Sequence, residues 1–131
     1  VTIPKKIDRT QSAQARFNTW QQGLTIFSLN PILGIGFNAY KYGLAEYNLA
    51  PDGFINSHGA SSNDSSLLFV ASTTGILGLV CYLLFLFTAI KTNLKKSSIL
   101  VAGILGLIID SFFTNSLFYP PLLLWFILMA I

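Results

Sequence analysis

The sequence predicts an all-α fold, a helical fragment of an integral membrane protein. We expect an extracytoplasmic loop with an amphipathic helix, followed by two to three transmembrane helices. Charged residues make up only 10% of the 131 residues, whereas soluble domains carry about 25%. Residues 66–90 contain no formal charge, which is long enough for a helix to cross the roughly 30 Å hydrocarbon core. The chain stops inside an apolar run, so we expect a C-terminal piece of a longer protein.

The first predicted element is a helix over residues 11–29, within an outer loop that covers residues 1–65. Its apolar residues recur at intervals of three and four, which is typical of one helix face: Phe17, Trp20, Leu24 and Phe27. Asn30 precedes Pro31, and this position favours the end of a helix. We expect the helix to lie in the membrane interface, where aromatic residues such as Tyr40 and Tyr47 are also common.

The membrane part is predicted to begin at residue 66, with spans at about 66–90, 98–113 and 121–131. The last is cut short at Ile131. Gly75 and Gly78 form a small-residue patch where a second helix can approach closely. The loop 91–96 carries three lysines and no acid, so the positive-inside rule makes it cytoplasmic and places residues 1–65 outside. Basic residues in that outer segment oppose the orientation, but charge counting loses force in a loop of this length.

Composition excludes several other classes of function. A net charge of +3 without a dense basic patch does not favour nucleic acid. The single Cys81 gives neither an intrachain disulfide nor a cysteine-rich metal site. Gly34-Ile35-Gly36 lacks the lysine of a phosphate loop. We expect no metal and no cofactor.

Asp64 is the first candidate for chemistry, because it lies where the chain passes from a polar run into the apolar segment. A structural alternative is that Ser62, Asn63 or Asp64 caps the helix that follows. The helix dipole also favours a carboxylate at the start of a helix. The functional interpretation is that this carboxylate accepts a proton from an acceptor hydroxyl.

Four further residues are candidates, each with a structural alternative. His58, the only histidine, is either an exposed loop residue or a base near physiological pH. Arg16 either forms the polar edge of the helix or grips a diphosphate. Lys41 is a weaker candidate for the same task or a solvated loop charge. Asp110 is either functional or has a snorkelling or capping role at the membrane edge.

Three blocks together resemble the O-antigen ligase/polymerase superfamily, bacterial membrane glycosyltransferases of the GT-C type. The first is Arg16 to Trp20 followed by Pro31-Ile32-Leu33-Gly34-Ile35-Gly36, which is similar to the family's outer-loop pattern. The second runs from Asn63 to Gly78 and resembles its "H-N-x-x-L … G-[LI]-[LI]-G" start of the next membrane helix. The third is the last pair of spans, joined through 111–116.

The sequence departs from that pattern at the family's histidine position, which falls at Asp64, and at its asparagine, which falls at Ser65. The role passes either to Asp64 or to His58. The resemblance implies a metal-independent, inverting transfer or polymerisation of a glycan from an undecaprenyl-diphosphate carrier. The acceptor is a hydroxyl of a glycan, a lipid or a protein. It also implies a multi-pass protein of the bacterial cytoplasmic (inner) membrane, in contact with membrane lipids.

Two non-enzymatic interpretations remain beside this one. A transporter or channel fragment is favoured only by Asp110 and the cluster Ser72-Thr73-Thr74. A structural membrane anchor fits the composition but leaves the arginine–tryptophan and glycine-rich blocks unexplained.

Overall fold

Every regular element in the described part of the chain is helical. A computed structural model describes residues 9–95, 97–122 and 124, without the side chains of residues 9–11, His58 and Leu117. The elements are α1 (Arg9–Leu29), α2 (Tyr40–Glu46), α3 (Asp52–Ile55), a 3-10 turn (His58–Ser61), α4 (Ser66–Asn93), α5 (Ser98–Asp110) and a second 3-10 turn (Ser116–Phe118). The predicted all-α class is confirmed.

Helix α1 matches the predicted helix at residues 11–29, and it ends at Leu29 as the Asn30-Pro31 pair indicated. Its packed face differs from the predicted stripe. Gly23 and Ile26 are buried, whereas Phe17 and Leu24 are 55% and 53% exposed. The face of α1 that packs against the core therefore contains Gly23 and Ile26, and part of the predicted apolar stripe lies outside the core.

A small core joins α1, α2, the first 3-10 turn and the start of α4. It consists of buried residues from all four: Ile26, Tyr40, Leu44, Ala60 and Phe69. The rings of Tyr40 and Phe69 are 5.6 Å apart between centroids. The prediction that Tyr40 is an interfacial residue is wrong, because only 1% of it is exposed. Short helices that sequence reasoning did not identify fold this tyrosine under α1.

Helix α4 begins at the predicted residue, Ser66, but it is not continuous. Gly75 has φ 65° and ψ −165°, which divides α4 into an outer piece, Ser66–Thr74, and an inner piece, Ile76–Asn93. The outer piece holds most of the buried residues of the helix. Within the described residues, α4 is the one helix whose length and composition are sufficient to cross a membrane.

Helix α5 runs back along α4 and brings its end to the start of that helix. It ends at Asp110, three residues before the predicted residue 113, and Ser97 caps its start by accepting a hydrogen bond from Leu100 N. Lys96 and the predicted third span lie largely outside the described residues. The division into an outer segment and membrane spans stays a prediction.

Candidate functional site

Asp64 is a half-buried carboxylate directly before α4, and it is not the cap of that helix. The cap is Ser65, whose side chain accepts from Leu68 N at 3.4 Å. The capping alternatives at Ser62, Asn63 and Asp64 are therefore wrong. Asp64 Oδ2 instead accepts a hydrogen bond from Thr19 Oγ1 at 2.9 Å, across 45 residues of sequence. The carboxylate therefore bonds to α1 and does not cap the start of α4.

Asn63 fixes the backbone that presents this carboxylate. Only 1% of the residue is exposed, and its Nδ2 donates to the Tyr40 hydroxyl at 2.7 Å and to Thr19 O. Its Oδ1 accepts from Ser65 N at 2.9 Å, which closes a turn of the kind asparagine favours. Buried amides are costly when unpaired, so these bonds hold α1, α2 and the start of α4 in one arrangement.

The Tyr40 hydroxyl is a neutral member of this network. Burial raises the pKa of Tyr40 to about 12, and the nearby charge of Asp64 adds to the increase, while the hydrogen bond with Asn63 opposes it. The phenol therefore stays protonated throughout the physiological range. A neutral hydroxyl can both accept from Asn63 and donate to another group.

Gly23 explains how Asn63 fits against α1. A Cβ atom at this position would lie 2.8 Å from Asn63 Nδ2 and 3.4 Å from Leu68 Cβ. A side chain there would displace the amide that positions Asp64. Sequence reasoning missed the roles of Gly23, Thr19 and Tyr40, although the spacing of 19 and 23 places both on one helix face.

The end of α5 holds the same site from the other side. Ser65 Oγ donates to Ser111 O at 3.0 Å, and Ser66 Oγ lies 3.1 Å from Thr114 O and 3.2 Å from the side-chain oxygen of Asn115. The serines after Asp64 therefore connect α4 to the turn after α5. Asp110 accepts from Thr114 Oγ1 at 2.6 Å and from Ser116 Oγ, so it stabilises that turn, in line with its structural alternative.

The glycine-rich stretch 31–36 inserts its backbone at the break in α4. Ile35 N and Gly36 N donate to Ser72 O and Thr73 O at 3.0 and 2.8 Å, and Ile76 N donates to Pro31 O at 2.8 Å. These are the carbonyl and amide groups that the break at Gly75 leaves without helical partners. The expectation that Gly75 serves the close approach of a second helix is wrong, because a loop occupies that place.

Both glycines at this contact are required by geometry. Gly34 has φ +66°, and a Cβ there would lie 2.6 Å from Thr73 O. Gly75 has φ +65°, and its Cβ would lie 2.6 Å from Leu33 N and would overlap Ile32 O. Two backbones thus meet without side chains between them. Gly34-Ile35-Gly36 is a helix-joining turn whose Ile35 and Gly36 amides bond to Ser72 O and Thr73 O.

The other predicted site residues are only partly brought together. Arg16 is exposed and lies one turn before Thr19, whose hydroxyl is 2.8 Å from Arg16 O. Within residues 12–95, no ion pair joins Arg16 to Asp64. Lys41 is half-buried beside Tyr40 on α2, with no hydrogen bond to Asp64 among the described side chains. The backbone of His58 begins the turn that covers Tyr40, and its side chain lies outside the described residues.

An apolar cavity of about 430 Å³ opens beside Ser65. Its lining comes from α1, the start of α4 and the residues after α5: Trp20, Ser65, Leu67, Leu68, Phe112 and Phe113. The rings of Trp20 and Phe113 pack with centroids 5.9 Å apart. Trp20 Nε1 is buried without a hydrogen-bond partner in the described part of the chain.

The arrangement combines a positioned carboxylate with an apolar wall, and it does not resemble a metal centre. Among the described residues, no group of three or more histidine, cysteine, aspartate or glutamate side chains is placed to hold a metal. Cys81 is exposed on the inner piece of α4. A half-buried carboxylate can accept a proton from a hydroxyl placed within hydrogen-bond reach.

Comparison with known proteins identifies the family. The O-antigen ligase family model matches residues 4–83, which include α1, the helix-joining turn, Asp64 and the outer piece of α4. No curated protein and no solved structure matches the chain. The family match supports an O-antigen ligase-like function in membrane polysaccharide biosynthesis, with lipid-linked glycan and acceptor substrates in general terms. The chain belongs to the O-antigen ligase family, a family of bacterial inner-membrane proteins.

Proposed function

We propose that the protein transfers or polymerises a glycan from an undecaprenyl-diphosphate carrier onto an acceptor hydroxyl at the outer face of the cytoplasmic membrane. The observation that carries the proposal is the position of Asp64. Its carboxylate is held by Thr19 Oγ1 at 2.9 Å and directly precedes Ser65, which lines the apolar cavity. This arrangement supports a base and a site for a lipid tail at neighbouring residues.

The reaction is a single inverting displacement. The acceptor oxygen forms a bond to the anomeric carbon, while the bond from that carbon to the diphosphate oxygen breaks. Asp64 accepts the proton of the acceptor hydroxyl, with His58 as the alternative base. Undecaprenyl diphosphate leaves with the bonding electrons. The donor arrives activated, so no nucleotide is required. The proposed step is metal-independent, with protein cations offsetting the charge of the leaving group.

Arg16 is proposed to offset the charge that develops on the leaving diphosphate. It is exposed and lies one turn of α1 before Thr19, and in this proposal its long side chain extends to a substrate near Asp64. Lys41, next to the buried Tyr40, is the second proposed cation for the diphosphate. Guanidinium groups suit phosphate oxygens because they donate in pairs.

The apolar cavity supports a lipid-linked donor. Its wall of Trp20, Leu67, Leu68 and two phenylalanines matches the hydrocarbon chain of a polyprenyl carrier, and burial of such a chain is favourable. We propose that Trp20 Nε1, buried without a partner among the described residues, donates to the first polar group of the bound carrier. The proposed topology places residues 1–65 outside the cytoplasm, in a multi-pass protein.

The test is glycan profiling of cells that carry the full-length protein with Asp64→Ala, His58→Ala or Arg16→Ala. Loss of glycan transfer with Asp64→Ala or His58→Ala identifies the base, and Arg16→Ala is expected to lower transfer strongly. Asp52→Ala and Lys91→Ala are matched controls, because both residues are exposed and lie away from the site. Normal transfer in all three site variants, at normal protein levels, would refute the mechanism.

The transporter alternative draws little support from the structure. The hydroxyls of Ser72, Thr73 and Thr74 donate to carbonyls of the preceding turn at 3.1, 2.7 and 2.8 Å, which is a common local arrangement. Asp110 binds the turn after α5. These polar groups have local partners, so no specific observation favours a polar path through the helices. The structural-anchor alternative does not account for the bonds that hold Asp64.

A further inference from the structure

A polar cleft of about 630 Å³ lies on a different face of α1 from Asp64. Three carboxamides and a hydroxyl from the helix, those of Asn18, Gln21, Gln22 and Thr25, face Leu49 and Pro51 across it. With 3.6 residues per turn, positions 18, 21, 22 and 25 form one face. Thr19, Gly23 and Ile26 lie about a third of a turn away, on the face that packs against Asn63. The cleft is thus separate from the proposed reaction site.

Gln22 supplies an unused acceptor in the cleft wall. Its Nε2 donates to Leu49 O at 3.0 Å, and a carbonyl can only accept, so this bond fixes which end of the amide is nitrogen. The Oε1 atom at the other end is buried and has no partner among the described residues. A buried acceptor without a donor is costly. A ligand hydroxyl that reached this oxygen after a small rotation of the side chain would remove that cost.

The remaining lining groups have similar chemistry. Thr25 Oγ1 donates to Gln21 O at 2.8 Å, which leaves its lone pairs available as acceptors. The exposed amides of Asn18 and Gln21 add both donors and acceptors, and among the described residues no charged side chain lines the cleft. Leu49 and Pro51 contribute apolar surface on the opposite wall. The volume falls within the usual range for small-molecule sites.

We propose that this cleft binds a neutral sugar unit of a glycan chain. A sugar ring offers adjacent hydroxyls that donate and accept, together with C–H faces that suit Leu49 and Pro51. The lining residues that the structure describes offer no cation to an anionic ligand. The identity of the ligand as part of the glycan substrate rests on the proposed function. Because the cleft and Asp64 are on different faces of a helix about 10 Å wide, the cleft holds a unit remote from the reacting one.

The test measures binding without turnover. Full-length protein in lipid nanodiscs is titrated with neutral oligosaccharides of two to six units, released from the surface polysaccharide of the producing bacterium. Asn18→Ala combined with Gln21→Ala should weaken binding by roughly tenfold to thirtyfold, the loss expected for about two neutral hydrogen bonds. Ser12→Ala combined with Ser28→Ala is the matched control, because both serines are exposed on α1 outside the cleft.

Asp64→Ala separates this proposal from the proposed function. The variant should bind the oligosaccharides with unchanged affinity even though it no longer transfers glycan. If the wild type transfers glycan but does not bind the oligosaccharides, the proposed sugar site is refuted and the proposed reaction is unaffected. Equal affinity of the wild type and the Asn18/Gln21 double variant would also overturn it. If the wild type binds the oligosaccharides but has no glycan-transfer activity, the sugar site is supported and only the proposed reaction is refuted.

Discussion

Replacing Gly75 by alanine is expected to detach the helix-joining turn from α4. The added Cβ would overlap Ile32 O and lie 2.6 Å from Leu33 N. These neighbours are backbone atoms and cannot rotate away as a side chain would. The φ of 65° and ψ of −165° at Gly75 also lie in a region that is essentially reserved for glycine. Alanine therefore either strains the break or straightens the helix.

The cost is similar in both cases. Keeping the break costs about 1–3 kcal/mol of backbone strain, before any displacement of the loop is counted. Straightening the helix gives its own backbone groups helical partners, but it leaves the loop groups Ile35 N, Gly36 N and Pro31 O without theirs, at a cost of about 1 kcal/mol each. We therefore expect a loss of about 3 kcal/mol in the free energy of unfolding. That is a large share of the 5–15 kcal/mol that is typical of a folded domain.

The assay is thermal unfolding of the full-length protein in nanodiscs, followed by tryptophan fluorescence, together with glycan transfer in cells. Gly106→Ala is the matched control, because a Cβ there meets nothing within 4 Å and the residue lies inside α5. That change should be neutral or stabilise the protein by up to about 1 kcal/mol. If Gly75→Ala unfolds at the wild-type temperature, the break does not need glycine and this reasoning fails.

Three further predictions concern the network around Asp64. Asn63→Leu should lower the free energy of unfolding by about 3 kcal/mol, because it leaves buried partners unpaired; the exposed Asn56→Leu is the control, and equal melting temperatures would contradict it. Thr19→Val should reduce glycan transfer about tenfold by removing a hydrogen bond to a carboxylate, and Thr19→Ser should restore it; an active Thr19→Val enzyme would exclude a positioning role. The phenol of Tyr40 ionises near pH 10 when unfolded but at about 12 when folded, so its stabilisation is complete below pH 10 and is lost as pH rises to 12. This loss, about 3 kcal/mol, should be absent in Tyr40→Phe when unfolding is followed between pH 9 and 12, and an unchanged pH dependence would show that another group titrates.

Helix positions could be predicted from local signals in this sequence. Pro31 marks the end of α1, and the change from polar to apolar residues marks the start of α4 at Ser66. Such signals depend on residues a few positions apart, so a single sequence is sufficient. The break at Gly75 gave no comparable signal. The backbone groups that it leaves unpaired bond to residues 31–36, which lie some forty residues earlier in the sequence.

The candidate site was predictable only in part for the same reason. Asp64 was identified from its place in the sequence and from family resemblance. The hydroxyl that holds it belongs to Thr19, and the amide beside it binds Tyr40. No periodicity relates positions 19, 40 and 63. Tyr40 was assigned to the membrane interface because tyrosine is common there, but burial in the small core decided its position.

The break in α4 also determines the distance and direction of the Asp64 carboxylate relative to the proposed membrane. The outer piece, Ser66–Thr74, is bonded to the helix-joining turn on one end and to the residues after α5 on the other. At 1.5 Å per residue it holds the carboxylate about 13 Å along the helix axis from the glycine. In the proposed topology the outer piece is a short rigid helix that fixes the position of Asp64 relative to the inner piece. Lengthening or shortening it by a single residue would change both the height of the carboxylate and, by about 100°, the direction it faces.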